Sequence, residues 1–373
     1  MNKNRNIGKK KTLTIVGLFI FGFFIGNFSA LLYIKEDESI HITIIYSSEK
    51  ASWMTIAYNN FIAEWHNSHP NEKITINMHP YGSSDSMISI LNGEIFPTIW
   101  SPASSIWMPL LNTRWAEKTK QVDPIVKINE SVKIIYSPIV IATWESINQT
   151  YNIKGFKDLY DLNLDPNVNL KMAHTDPRLS NSGFMSTIMA LSVASGIPSE
   201  NLTFNDLQNS TNQDWLSVFE SSAIMYGKST GFLARYMKSE GPNALSVAFL
   251  YENLVKDISN TAVGGKIIAL YPEEGTLYSD HPFNILNADW ISEDQRDVAE
   301  AFLEFLEDPT TVESALSYGF RPINSSIPLD PNIFNYENSG IAYNITVPEI
   351  KVPTSGKVIL KIPDLWLLCR ATA

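Results

Sequence analysis

The chain has a single cysteine, Cys369, so no intrachain disulfide can form, and its 373 residues must draw stability from a large core. Positive charge is scarce outside the first segment. Residues 1–35 hold six Lys and Arg and no acidic residue, so the remaining 22 basic and 39 acidic side chains leave residues 36–373 at a net −17. This balance excludes a broad basic face for nucleic acid. It leaves the charge of a small ligand open, because a cleft can be locally positive on an acidic body. Metal ligands are thinly spread: His41, His66, His69, His79, His174 and His281 are scattered, and no carboxylate or Cys completes a zinc set around His66 and His69. No metal and no cofactor is expected.

Enzyme signatures are also incomplete. Ser47-Ser48-Glu49-Lys50 fits the S-x-x-K spacing of serine acylases, but the Ser-Asp-Asn motif is missing and Lys228-Ser229-Thr230-Gly231 does not supply a true K-T-G. Gly227-Lys228-Ser229-Thr230 resembles the end of a P-loop, yet Ser222 stands where the first glycine is required. Asp280-His281 and Ser182 could form a triad only without a G-x-S-x-G elbow. A binding protein, not an enzyme, is expected.

What is present begins with an uncharged run of 23 residues, Thr12 to Ile34, preceded by Lys3, Arg5, Lys9, Lys10 and Lys11. Roughly 20 apolar residues cross a bilayer. The positive-inside rule places the N-terminus in the cytoplasm and the body outside. An uncleaved anchor is expected, with a cleaved signal peptide as its rival: Phe28-Ser29-Ala30 puts a bulky ring where cleavage wants a small residue. No Cys stands near the run, which excludes a lipoprotein anchor. The sequons at Asn201 and Asn344 leave glycosylation open.

Beyond the anchor, strands alternate with helices. Apolar runs at 40–46, 74–78, 98–100, 132–136, 139–143, 168–173, 223–225, 247–251, 266–271 and 283–286 read as strands. Segments 53–65, 84–92, 106–112 and 292–307 carry helical spacing, the last with Val298, Ala301, Phe302, Phe305 and Leu306 on one face. Such alternation predicts an α/β protein with parallel sheets, whose ligands gather at the carboxyl ends of strands. Small hydroxyl residues recur at those ends: Ser47-Ser48, Ser101 to Ser105, Ser137, and Thr175 to Ser182. Two more ends carry Tyr226 to Thr230 and Tyr271 to Gly275. Helix capping explains any one of them. Their recurrence points to donors that converge on a small polar or anionic ligand.

YSPIVIAT at 136–143, HTDPRLSNSGF at 174–184 and ALYPEEGTLYSDHPF at 269–283 resemble the extracellular solute-binding proteins of ABC transporters, on the type 2 periplasmic-binding fold. IIYSSEKASW and TIWSPASSIW resemble the same family's first and third strand ends. The resemblance spans residues 40–325. The tail PDLWLL at 363–368 is similar to the segment leading into a von Willebrand factor A domain in longer relatives, although their Asp-x-Ser-x-Ser metal motif is absent.

The resemblance implies two α/β lobes joined by two crossings, near Ser137-Pro138 and Tyr271-Pro272. Lobe one would hold residues 39–138 and 272–345, lobe two residues 139–271, and residues 346–373 would form a tail. It implies a cleft ligand held by Ser47, Ser48, Ser101 and Ser104 of lobe one and by Ser137, Thr175, Asp176, Ser182, Tyr226, Ser229, Tyr271 and Glu274. Three of these have competing readings: Asp176 as a cap, Tyr271 as core and Glu274 as a solvated turn charge. The implied partners are a small molecule or small anion, the membrane through residues 12–34, and an ABC permease; nucleic acid is not among them. Hydroxyl-rich loops lean toward an oxyanion such as sulfate or molybdate. A surface sensor or scaffold without transport is the alternative.

Overall fold

The computed structural model describes residues 39–373; the expected basic tail and anchor at 1–35 lie outside the described residues. Among those described, no helix is long and apolar enough to cross a membrane. From the N-terminal side run β1 (Ile40–Ser47), α1 (Ala51–Ser68), β2 (Ile74–Tyr81), α2 (Ser83–Asn92), β3 (Ile99–Ser101), α3 (Trp107–Thr119) and β4 (Ile135–Trp144). Next come α4 (Glu145–Tyr151), α5 (Phe156–Leu164), β5 (Met172–Thr175), α6 (Asn181–Ser195), α7 (Phe204–Gln208), α8 (Ser210–Glu220), β6 (Ala223–Gly227), α9 (Thr230–Glu240), β7 (Val247–Tyr251) and α10 (Glu252–Ile258). The chain closes with β8 (Ile267–Leu270), β9 (Thr276–Ser279), β10 (Asn284–Ile285), α11 (Glu293–Glu307), α12 (Pro309–Leu316), β11 (Arg321–Pro322), α13 (Tyr336–Ser339), β12 (Glu349–Ile350) and α14 (Gly356–Arg370).

These elements form two α/β lobes. In the first, strands lie in the order β10-β3-β1-β2, with β1 parallel to β2 and β3. A parallel sheet is covered on both faces, which is why Ile42, Ile44, Ile45 and Trp100 are all buried. Helix α11 packs against β1. It starts at a capping box between Ser292 and Gln295 and buries Val298, Ala299, Phe302, Leu303 and Leu306. The buried stripe is therefore rotated slightly from the one spacing predicts: Ala301 and Phe305 are only partly buried.

The second lobe is built on β12-β9-β4-β7-β5-β6, with β8 and β11 also paired to β4. Strand β4 is one continuous element, not two strands broken at Ser137-Pro138. Its first residues pair with β11 and β9, and its later ones with β7 and β8. It thereby carries the chain from one lobe into the other. Strand β9 runs antiparallel beside it, with Ser137 opposite Ser279. Beyond β9 the chain is back in the first lobe, where His281 N donates to Ala103 O. Strand β5 starts later than the apolar run suggests, because Val168 closes a turn onto Asp165 O. Within the segment read as a tail, α14 packs on α8, α7 and α6 and buries Val358, Ile359, Ile362, Leu365, Trp366 and Cys369.

Candidate functional site

Each parallel strand delivers a polar turn and a helix N-terminus toward the opposite lobe. From the first lobe come Ser48 to Lys50 after β1, Gly82-Ser83 after β2, and Pro102 to Ile106 after β3. From the second come Asp176 to Asn181 after β5, Lys228 to Thr230 after β6, and Glu252-Asn253 after β7. The lobes are closed on each other by direct bonds. Gly231 N donates to Ser48 Oγ at 3.1 Å, Trp107 Nε1 to Asn181 Oδ1 at 2.7 Å, and Asn253 Nδ2 to Glu49 O at 3.1 Å. Ser84 N and Asp85 N both reach Leu179 O at 3.1 Å, so the first turn of α2 is capped by the other lobe. Gly82 lets these backbones meet: a Cβ there would lie 2.3 Å from Leu179 O.

Behind this seam lies a buried knot of hydroxyls. Thr175 Oγ1 and Ser182 Oγ are 2.8 Å apart, Thr230 Oγ1 donates to Ser182 Oγ at 2.8 Å, and Gly183 N donates to Thr175 Oγ1 at 2.7 Å. A Cβ on Gly183 would fall 1.7 Å from Thr175 O, so only glycine lets α6 start this close to β5. Asn181, the first residue of α6, joins three elements. Its amide donates to Tyr251 Oη at 2.9 Å and Ser279 Oγ at 3.0 Å while its oxygen accepts from Trp107.

Three ionisable side chains are buried at the first lobe's side. Lys50 Nζ donates to Ser101 O, Ser101 Oγ and Pro102 O at 2.9, 2.7 and 3.2 Å. Burial brings its pKa down to about 7, against the pull of Glu49 and Asp280. His281 Nδ1 lies 3.3 Å from Glu49 Oε1, without the alignment of a hydrogen bond. The His281 ring stands edge-on to Tyr251, with centroids 5.8 Å apart.

The residues expected at the site divide into groups. Ser47, Ser48, Ser101, Ser137, Thr175 and Ser182 lie in or beside the seam; Ser101 holds Lys50, and Ser137 Oγ accepts from Asn253 N at 3.2 Å. Ser104 Oγ accepts from Ile106 N and lines an open groove of about 520 Å³ with Ser105, Tyr136, Tyr278 and Asp280. The others serve partners within the protein. Asp176 forks Arg178 with distances of 2.5 to 3.1 Å. Ser229 caps α9. Tyr226 donates to Glu220 at 2.8 Å under Trp366. Tyr271 donates to Glu252 and accepts from Ala342 N. Glu274 accepts from Phe156 N and Lys157 N at 3.2 and 2.9 Å, capping α5. Sequence reading missed Glu49, Lys50, Trp107, Asn181, Thr230, Tyr251, Asn253 and His281 as site residues. Glu49, Thr230 and Asn253 sit within three residues of a strand end, so the rule that found the serines would have found them too.

A family model described as bacterial extracellular solute-binding protein matches residues 42–321. No curated protein sequence matches the chain. Among solved structures, a putative spermidine/putrescine ABC transporter from Listeria monocytogenes is similar at 14% identity and TM-score 0.62, over 90% of this chain and 100% of that one. The fructose-6-phosphate-bound periplasmic binding protein from Actinobacillus pleuropneumoniae is similar at 14% identity and TM-score 0.60, over 89% and 99%. The sulfate-binding protein from Mycobacterium tuberculosis gives 14% identity and TM-score 0.57, over 81% and 92%. At these identities the structural likeness is one of fold.

Proposed function

The chain belongs to the bacterial extracellular solute-binding proteins, and from that premise we propose that it captures a small solute between its lobes and delivers it to the permease of an ABC importer. The observation that carries this reading is the meeting of strand ends across the seam, with Ser48 on Gly231 and Trp107 on Asn181. A solute enclosed there leaves water, which strengthens each polar contact it makes. Residues 12–34 anchor the protein, with the N-terminus in the cytoplasm and the body outside the cell.

Thermal unfolding of the full-length chain against small anions, amines, sugars and amino acids tests solute capture. A solute at a hundred times its dissociation constant adds about 2.7 kcal/mol and raises Tm by about 5 °C. A folded protein that responds to no class overturns the reading. Retention in the membrane fraction after a high-salt wash tests the anchor separately.

A further inference from the structure

Several donors at the lobe interface are already engaged. Gly183 N goes to Thr175 Oγ1, Gly231 N to Ser48 Oγ, and Ser84 N and Asp85 N to Leu179 O. Lys50 meets three acceptors with its three N–H, and Arg321 is held by Glu252, Ala342 O and Tyr343 O. A second set of polar atoms is not engaged in the same way. Ser47 Oγ, Glu49 Oε1, Asn253 Oδ1 and both ring nitrogens of His281 make no well-aligned hydrogen bond, in residues exposed by only 3, 5, 2 and 0%. An unpaired buried polar atom costs about 1–3 kcal/mol, and native folds keep few.

These atoms belong to one place shared by both lobes. Ser47 ends β1 and Glu49 follows it, Asn253 lies in the first turn of α10 and donates its amide to Glu49 O, and His281 lies 3.3 Å from Glu49 Oε1. His281 also holds φ at +39°, a sparsely populated region for a residue with a Cβ. Such strain collects where a side chain must be held in a fixed position.

We propose that the interlobe site recognises its solute through a protonated amine, received jointly by the Glu49 carboxylate, Asn253 Oδ1, Ser47 Oγ and a His281 ring nitrogen. The inference rests on the solute-binding reading and narrows it. An ammonium group has three N–H donors and no acceptor. It matches two obligate acceptors, Oε1 and Oδ1, and a third from Ser47 or His281. A metal ion fits less well, because among the described residues no three His, Cys, Asp or Glu side chains converge. The oxyanion that the hydroxyl-rich turns suggest would face the Glu49 carboxylate.

The charges are mixed, since Glu49 favours an ammonium and the Lys50 side chain beside it opposes one. Burial opposes ionisation of Glu49, but His281 and Lys50 outweigh it and hold the carboxyl below its ordinary value. Burial lowers His281, and Lys50 adds to that against Glu49 and Asp280, which leaves a neutral ring with one acceptor nitrogen near pH 7. Tyr251, the other group facing the ring, stays protonated because burial and then Glu49 raise its pKa.

Calorimetry on the full-length chain, with aliphatic amines paired against alcohols of the same length, tests this. Butane-1,4-diamine against butane-1,4-diol and ethanolamine against ethylene glycol are suitable pairs, with sulfate, molybdate and glucose as other classes. At least one amine should bind saturably, and at least tenfold tighter than its alcohol. Glu49→Gln should weaken that amine at least tenfold. Binding of sulfate, molybdate or glucose without any amine overturns the inference and leaves solute capture standing. An unchanged amine affinity in Glu49→Gln also overturns it. Absence of binding by every class overturns both. The amine-to-alcohol comparison on the natural chain decides the matter even where a variant fails to fold.

Discussion

Gly82→Ala should act on lobe closure alone. Gly82 has φ −70° and ψ 146°, which alanine adopts without strain. With the lobes apart, the substitution should leave stability unchanged or raise it by about 0.4–1 kcal/mol through the unfolded chain. With the lobes closed, the new methyl would lie 2.3 Å from Leu179 O and 3.2 Å from Lys228 O, both backbone atoms of the other lobe. Contact distance for such atoms is about 3.5 Å, so the seam must open there by about 1 Å. Ser84 N and Asp85 N, each 3.1 Å from Leu179 O, would then lose their common acceptor. At about 0.5–1.5 kcal/mol per hydrogen bond, the closed form weakens by about 1–3 kcal/mol. If capture needs closure, affinity falls roughly 5- to 150-fold. Calorimetry gives the affinity, and small-angle scattering with saturating solute gives the radius of gyration. A variant that binds as tightly and closes as compactly as the natural chain refutes the interlobe site.

Gly183→Ala should behave in the opposite way. Its methyl would strike Thr175 within one lobe, so Tm should fall by the equivalent of 1–3 kcal/mol or more, whether or not solute is present. Arg321→Met leaves the buried Glu252 carboxylate without the guanidinium that holds it at 2.7 Å; urea unfolding should show a loss of about 3–5 kcal/mol. The two buried histidines should give stability of opposite pH dependence. Burial lowers the His174 pKa, but Glu220 at 3.0 Å outweighs it and the net shift is upward. Its contribution is therefore full below the ordinary value of about 6.5 and is lost as pH rises through the raised value. The His281 pKa is lowered, so its contribution is present above about 6.5 and is lost as pH falls through the lowered value. Urea midpoints from pH 5 to 8 for His174→Gln and His281→Asn should change slope in opposite directions; the same direction for both would show the assignment wrong.

The alternation of apolar runs and helical faces was enough to read the α/β layers, because strand and helix periods act locally. The serines after β1, β3 and β5 were legible for the same reason: helix starts collect free N–H groups, and hydroxyls are favoured there. What local pattern cannot tell is whether a polar group finds its partner inside the protein. Glu274 looks like a cleft carboxylate until α5 is folded beside it and takes both oxygens. Tyr226 and Tyr271 look like ligand covers until Glu220 and Glu252 arrive from elsewhere in the chain. His281 and Glu49 present the converse case. They meet only because β9 returns the chain to the first lobe, and no spacing in the sequence brings them together. The spacing of Val358, Ile362, Leu365 and Cys369 did carry a helical signal, although the segment reads as a tail until the face it covers on α8 is seen.

Closure and recognition are separable in this arrangement. The bonds across the seam at Ser48, Trp107 and Leu179 are made by the protein to itself. They favour the closed form whatever solute is present. The atoms around Glu49 make no well-aligned hydrogen bond in the closed form. A ligand can shift an equilibrium only by its difference in affinity for the two states. Weakening closure should therefore cost every solute the same factor, whereas weakening recognition should cost each solute according to its chemistry. Gly82→Ala should reduce the affinity of all bound solutes by one common ratio, and Glu49→Gln should reduce that of amines alone. A Gly82→Ala effect that differs between solutes would mean that Gly82 touches the ligand itself, and the separation would fail.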